Sequence, residues 1–201
     1  DAVARALRAH PSVARGADPS RVIAAESATR GQRFVQWAKA ARPNDWQRIG
    51  RAYLASNPGA GERTHRLVDA QTVAVEHAGA IAAMLPGARF VVVDNDALES
   101  GFALFRRHFR ARERYRCDFA ELAAYRHDQQ RLLHRWSERF GDRIVRVDAA
   151  ALDATVTQLF ATLGLGAPTA PIDLASHVGA RRYGDLVRPL ARMLDAQDAA
   201  S

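Results

Sequence analysis

The sequence predicts an α/β domain with a small parallel sheet, helices on both faces of that sheet and a helical N-terminal part. Residues 89–93 form an unbroken run rich in β-branched side chains, which is typical of strands covered on both faces. Shorter hydrophobic runs at residues 65–68 and 144–147 predict two further strands. Predicted helices separate these strands, and connections of that length imply parallel pairing.

The N-terminal part predicts helices only. A first short helix is broken before Pro11, because the residue that precedes a proline avoids the α region. A second helix is predicted over residues 20–41, and a third, capped by Asn44 or Asp45, ends before Pro58.

The rest of the chain alternates between the predicted strands and longer helices. Asp118 is predicted to cap the longest helix, and Gly164 is predicted to end the helix over residues 153–163. No repeat or linker interrupts the pattern, so residues 1–201 are predicted to form a single domain. The predicted helices cover residues 73–85, 97–109, 119–140, 153–163 and 183–195.

Composition excludes some classes of protein. Of the 201 residues, 48% are hydrophobic and 25% charged, which is ordinary for a globular chain. No stretch approaches the roughly 18 apolar residues of a membrane span, so no membrane partner is predicted. A single cysteine, Cys117, excludes an internal disulfide and predicts a reducing cytoplasm. The net charge of +7 favours an anionic ligand, nucleic acid or an acidic surface without choosing among them.

Several short motifs occur in a fixed order between about residues 7 and 194. A helix ends on His10-Pro11, and a Leu-Pro-Gly-Ala-Arg corner at residues 85–89 leads into the central strand. The sequence Leu-Gly-Leu follows at residues 163–165, and Val-Gly-Ala-Arg-Arg-Tyr at residues 178–183 comes before Arg-Pro-Leu at residues 188–190. In this order the motifs resemble bacterial sulfotransferases of the class often fused to tetratricopeptide repeats.

The resemblance implies a fold and an activity. Family members share their fold with the P-loop nucleotide kinases. They transfer a sulfonate group from 3′-phosphoadenosine-5′-phosphosulfate, the co-substrate, to a hydroxyl or amine acceptor. Such transfer needs a glycine-rich loop for the donor's phosphosulfate, a base for the acceptor's proton, and cations for the charge.

Aligned with the family's motifs, four residues become candidates for these roles. Asp18 stands at the position of the catalytic acidic residue and is the predicted catalytic residue. Asn95, Arg181 and Arg182 are the predicted contacts to the co-substrate, and no metal is expected.

Other motif positions depart from the family. No phosphate loop occurs, and the chain begins about where that loop would end, so the domain is expected to lack its N-terminal phosphate-loop strand. Alanine replaces the family's lysine at Ala70 and its serine at Ala103, and three alanines follow the last strand at residues 149–151. Asp94-Asn95 replaces a pair of arginines. These changes predict that the activity is impaired or lost, and they leave open whether the domain is an enzyme.

Simpler interpretations stand beside each candidate. Asp18 also fits a turn that caps a helix, and residues 94–96 fit a helix-start loop or, less well, a metal site. The acceptor would be a small molecule or a protein, and the sequence does not specify the oligomeric state. His127 and His134 lack a partner for a metal site, and Ser27, Ser100 and Ser137 lack the setting of a nucleophile.

Two functions compete with sulfonate transfer. The first is a non-catalytic sulfotransferase relative that serves as a binding or scaffolding domain. The second is a nucleic-acid-binding module that uses the arginine-rich run at residues 106–116, although a solvated connection explains this run better.

Overall fold

The computed structural model describes residues 2–57, 66–70, 74–106, 118–166 and 179–198. Helices and strands alternate after an N-terminal part that is mostly helical. The helices are α1 (Ala2–Arg8), α2 (Pro19–Arg30), α3 (Phe34–Ala40), α4 (Pro43–Ala55), α5 (Ala74–Met84), α6 (Ala97–Arg106), α7 (Phe119–Phe140), α8 (Leu152–Thr162) and α9 (Arg188–Asp198). The strands are β1 (Val13–Arg15), β2 (Arg66–Val68), β3 (Phe90–Asp94) and β4 (Ile144–Asp148), and 3₁₀ turns cover Gly141–Arg143 and Ala180–Val187.

The strands pair in two parallel couples. In the first couple β1 lies beside β2, with Val13 opposite Arg66 and Arg15 opposite Val68. In the second couple β3 lies beside β4, with Asp94 opposite Asp148. The predicted α/β class with parallel pairing is confirmed, in the form of two small parallel sheets among the described residues.

Helices cover both faces of the strands, as the alternation of strand side chains shows. Leu67 and Phe90 pack against a cluster formed by α2 to α5, in which Trp37 is fully buried. Their neighbours Val68 and Val91 point the other way and pack against α1 and α8. The buried members of this second cluster are Val3, Leu7, Val147, Val156, Leu159 and Phe160.

A third cluster lies away from the strands, where α6, α7 and α9 pack together around Leu122 and Leu190. An aromatic stack connects α7 to the strands. Trp136 stacks on Phe140 with ring centres 5.1 Å apart, and Phe140 stacks on Phe90 at 5.3 Å. Arg143 lies over the last two rings, and its Nε donates to the carbonyl of Ala88 at 3.0 Å. These contacts fix the start of β3 relative to α7.

One strand was missed by the sequence reading. The N-terminal part was predicted to be entirely helical, and β1 shows that this is wrong. Three residues are too few to show the alternation by which strands are recognised, and this strand is defined by its pairing with β2, some 50 residues later.

The predicted helix over residues 20–41 is two helices. Gly31 adopts a left-handed φ of +61° and ends α2, with its N–H bonded to the carbonyl of Ala28 at 3.1 Å. The next cap was also predicted wrongly, because Arg42 is the N-cap of α4 and Pro43 its first residue. Asp45 lies inside the helix and accepts from the Arg42 N–H at 2.9 Å.

The last helix was predicted over residues 183–195 as one element. The structure instead has a 3₁₀ turn followed by α9, with Gly184 in a non-helical conformation (φ +51°, ψ −121°) inside the turn. By contrast, α7 has the bounds that were predicted for it. The Asp118 side chain caps it by accepting from the N–H groups of Ala120 and Glu121 at 2.8 and 3.0 Å.

Candidate functional site

Each parallel couple of strands has a carboxyl end, and both ends carry motif residues. We call the residues that follow β1 and β2 the first edge, and those that follow β3 and β4 the second edge. Ligands of open α/β sheets bind outside the carboxyl ends of the strands. A ligand site is therefore expected at one of the two edges.

At the first edge, the loop after β1 begins with one more hydrogen bond to β2. The N–H of Gly16 donates to the carbonyl of Val68 at 3.0 Å, which extends the ladder by one bond. Asp18 then caps α2, because its Oδ1 accepts from the N–H of Ser20 at 2.9 Å. The structure thus gives Asp18 the capping role, and its predicted role as a proton acceptor stays a prediction.

Asp69 follows β2 and faces the same loop. The hydroxyl of Tyr53, a buried side chain of α4, donates to its Oδ2. The other oxygen, Oδ1, is buried and has no hydrogen-bond partner among the described residues. Burial raises the pKa of the Asp69 carboxyl, and the nearby carboxylate of Asp18 acts in the same direction. The sequence did not reveal this contact of Asp69 with α4.

The loop between β1 and α2 fits closely against this pair. A Cβ on Gly16 would lie 2.5 Å from Oδ2 of Asp69 and 2.8 Å from the hydroxyl oxygen of Tyr53. Asn57, which is 5% exposed, accepts from the N–H of Ala17 at 2.5 Å and donates to the carbonyl of Tyr53 at 2.6 Å. Side chains near the end of α4 therefore fix the backbone on which Asp18 is carried.

At the second edge, Asp94 is paired with a cation. Arg146 of β4 donates to both of its carboxylate oxygens, through Nε at 2.9 Å and through a terminal nitrogen at 2.6 Å. Both side chains are substantially exposed, at 56% for Arg146 and 42% for Asp94. This bidentate pair occupies the position at which the family resemblance expects an arginine for the donor's phosphate.

The rest of the second edge is shaped by helix capping. The side chain of Asp96 accepts from the N–H of Glu99 at 2.9 Å, as expected for a helix-start loop. Asn95 is exposed, and its amide donates to the carbonyl of Val93 at 3.4 Å. Within the described ranges, no group of three or more His, Cys, Asp or Glu residues could hold a metal ion.

The C-terminal segment reaches this edge through α6. Oε2 of Glu99 accepts from the N–H of Ala180 at 2.6 Å, which holds the start of the 3₁₀ turn against the first turn of α6. Arg182 follows with its side chain exposed, while the side chain of Arg181 lies outside the described residues. The predicted residues thus divide between two places, with Asp18 at the first edge and Asn95 and the Arg181–Arg182 segment around α6.

The remaining candidates of the sequence have structural contacts or lie outside the described part. Ser27 accepts from Nε1 of Trp37 at 2.8 Å, and Ser100 accepts from Arg126 at 2.6 Å. His134 lies 3.5 Å from Glu138 on an exposed face of α7. Of the basic run at residues 106–116, only Arg106 is described, and it lies over the rings of Phe102 and Tyr183.

Sequence reading missed the residues that organise both edges, namely Tyr53, Asn57, Glu99 and Arg146. A signal was present, since the hydroxyl of a buried tyrosine usually finds a hydrogen-bond partner. The identity of that partner requires the fold.

Comparison with known proteins decides the family. The model of the sulfotransferase family matches residues 2–168, a range that includes the four described strands and both edges. The chain belongs to the sulfotransferase family. No curated protein and no solved structure matches the chain. The family match ends before the Arg181–Arg182 segment, so the assignment of those two arginines rests on the resemblance alone.

In the part of this sulfotransferase-family chain that the structure describes, no helix combines the length and the apolar character that crossing a bilayer requires.

Proposed function

We propose that this domain is a sulfotransferase relative in which transfer of sulfonate from 3′-phosphoadenosine-5′-phosphosulfate to a hydroxyl or amine acceptor is impaired at the donor-binding step. The observation that carries the proposal is the pair between Asp94 and Arg146. A phosphate approaching this position meets a carboxylate, and the neighbouring guanidinium is already engaged on both of that carboxylate's oxygens.

A second observation at the first edge supports the same conclusion. Ala70, directly after Asp69, is exposed and offers no cation where the resemblance places the lysine that contacts the sulfonate. Asp18 remains available for the acceptor's proton, because its capping bond uses Oδ1 and a carboxylate has further acceptor sites. The proposed impairment therefore concerns binding of the donor more than removal of the acceptor's proton.

Arg182 and Asn95, which lie near the second edge, are proposed to retain weak affinity for the donor. Arg182 is exposed at the start of the 3₁₀ turn, close to α6, which follows the second edge. Asn95 adds an exposed amide that can donate a hydrogen bond. Together they support contact to one phosphate without the bidentate geometry of a buried arginine.

Thermal unfolding of the full-length protein with adenosine 3′,5′-bisphosphate, the product form of the donor, tests the proposal. We expect stabilisation only near millimolar ligand, and a shift of the binding curve to lower concentration in Asp94→Asn, which releases the Arg146 guanidinium. Adding Ala70→Lys should then increase turnover with the complete donor. Adenosine 5′-phosphate is the matched control, since it lacks the 3′-phosphate.

The outcomes separate the possible functions. Tight binding by the unaltered protein, dependent on the 3′-phosphate, would show that donor binding is not impaired. No stabilisation in either the unaltered protein or Asp94→Asn would favour the alternative of a non-catalytic binding or scaffolding domain, which the substitutions at Ala70 and Asp94 also support.

A further inference from the structure

A polar cavity of about 220 Å³ lies at the amino ends of β1 and β2, at the end of the strands opposite to the first edge. Its lining combines two basic side chains, a hydroxyl and a glycine-rich turn after α8. No carboxylate is among the described residues that line it. The lining residues are His10, Ser12, Arg66, Gly164, Leu165 and Gly166.

His10 presents a hydrogen-bond donor to this cavity. Its Nδ1 accepts from the N–H of Ser12 at 3.2 Å, so the neutral ring carries its hydrogen on Nε2. Nε2 lies 3.8 Å from where a Cβ on Gly166 would be, on the cavity wall. The ring packs edge-on against Phe160, with centres 6.0 Å apart, which fixes its direction.

Arg66 supplies positive charge to the lining. Its Nε donates to the carbonyl of Leu163 at 3.3 Å, and one terminal nitrogen lies 3.8 Å from the Cβ position of Gly164. Gly164 adopts a left-handed φ of +67°, a conformation that favours glycine, and the guanidinium lies at van der Waals distance from this turn. The hydroxyl of Ser12 adds a third donor group to the lining.

We propose that this cavity binds a phosphate group, either as the free ion or as the end of a phosphomonoester. A guanidinium, an imidazole N–H and a hydroxyl within one lining match the several acceptor oxygens of a tetrahedral anion. The volume lies below the roughly 300–1,000 Å³ of sites for drug-sized ligands, which suits one small group. The site is separate from the donor-binding edge and does not depend on the proposed function.

Titration of the ¹³C- and ¹⁵N-labelled full chain with inorganic phosphate, at constant ionic strength, tests the proposal. We expect saturable shifts of the His10 ring and of the Gly164 and Gly166 amides, with sodium chloride as the blank. Arg66→Gln should weaken binding about tenfold, as the loss of a charge-assisted hydrogen bond predicts. Arg131→Gln removes the same charge from exposed α7 and should change the affinity less than about twofold.

A second variant keeps the test decisive if Arg66→Gln does not fold. Ser12→Ala removes one donor group and should weaken binding about threefold to tenfold. Shifts that do not saturate, or equal affinity in Arg66→Gln, Ser12→Ala and the unaltered chain, would overturn the proposal.

Phenyl phosphate distinguishes the two forms of the ligand. Affinity equal to or higher than that of inorganic phosphate assigns the site to the end of a phosphomonoester, and clearly lower affinity assigns it to the free ion.

Discussion

The two edges have the same strand geometry and opposite chemistry. At the first edge, Asp69 is enclosed beside Tyr53, and its pKa is raised by burial. At the second edge, Asp94 is exposed and held by Arg146. The comparison shows that the surroundings of a carboxylate after a parallel strand depend on what packs against the strand end, which is a buried tyrosine at the first edge and an exposed arginine at the second.

The first edge should tolerate change far less than the second, and Gly16→Ala should show the largest effect. The added Cβ has no room beside Asp69 and Tyr53, so either the loop or their hydrogen bond must shift. We expect a loss of about 2–3 kcal/mol in the free energy of unfolding, measured with urea. Gly87→Ala is the control, since a Cβ there meets no described atom within 4 Å. Equal losses in both variants would contradict the close fit of the loop.

Tyr53→Phe should have the next largest effect. It removes the donor to Oδ2 of Asp69 and leaves a buried carboxyl without a described hydrogen bond, at a cost of about 1–2 kcal/mol of unfolding free energy. Tyr183→Phe makes the same chemical change on a ring of the third cluster, where the hydroxyl has no described hydrogen bond, and should cost less. An unchanged urea midpoint in Tyr53→Phe would show that the Asp69 contact contributes little.

The exposed pair at the second edge should contribute less. In a double-mutant cycle with Asp94→Asn and Arg146→Gln, the coupling energy is expected to stay below about 1 kcal/mol and to fall with added salt. Urea unfolding at low and high sodium chloride measures it. A coupling of about 2 kcal/mol or more, insensitive to salt, would remove the contrast between the edges.

A pH dependence gives the smallest effect, since it involves one proton. Because the folded-state pKa of Asp69 is raised, its contribution to stability is fully present below its ordinary pKa of 3.8 and is lost as the pH rises through the folded-state value. The unaltered chain should therefore lose stability relative to Asp69→Asn as the pH rises above about 4. The lowered pKa values of Glu26 and Asp45 act in both chains and cancel in the difference. A difference that changes in the opposite direction would show that Asp69 is stabilised in its charged form.

Much of the fold could be predicted because its signals are local. The cap at Asp118 and the bounds of α7 were predicted correctly, because the capping side chain bonds to N–H groups within three residues of it in the chain. Strand β3 was recognised from its β-branched run alone. β1 was missed because a three-residue strand is defined by a partner outside any local window.

At the candidate site, too, the local features could be predicted from the sequence and the long-range contacts could not. The helix cap at Asp18 and the helix-start loop at residues 94–96 could be predicted as alternatives. Such side chains accept from N–H groups only two or three residues further along the chain. The substitutions at Ala70 and Asp94 were also visible in the sequence. What could not be read was the partner of each carboxylate, because a long connection separates Tyr53 from β2, and Arg146 lies 52 residues beyond Asp94.

The sequence by itself determined the α/β class, the family resemblance that the family model confirmed, and which motif residues had been replaced. Only the tertiary structure decided that Asp69 is enclosed by Tyr53 and that Asp94 is bound to Arg146. The physical reason is that capping and turn preferences act between neighbours in the chain, whereas burial and ion pairing depend on strand register and on which helix packs over each strand end.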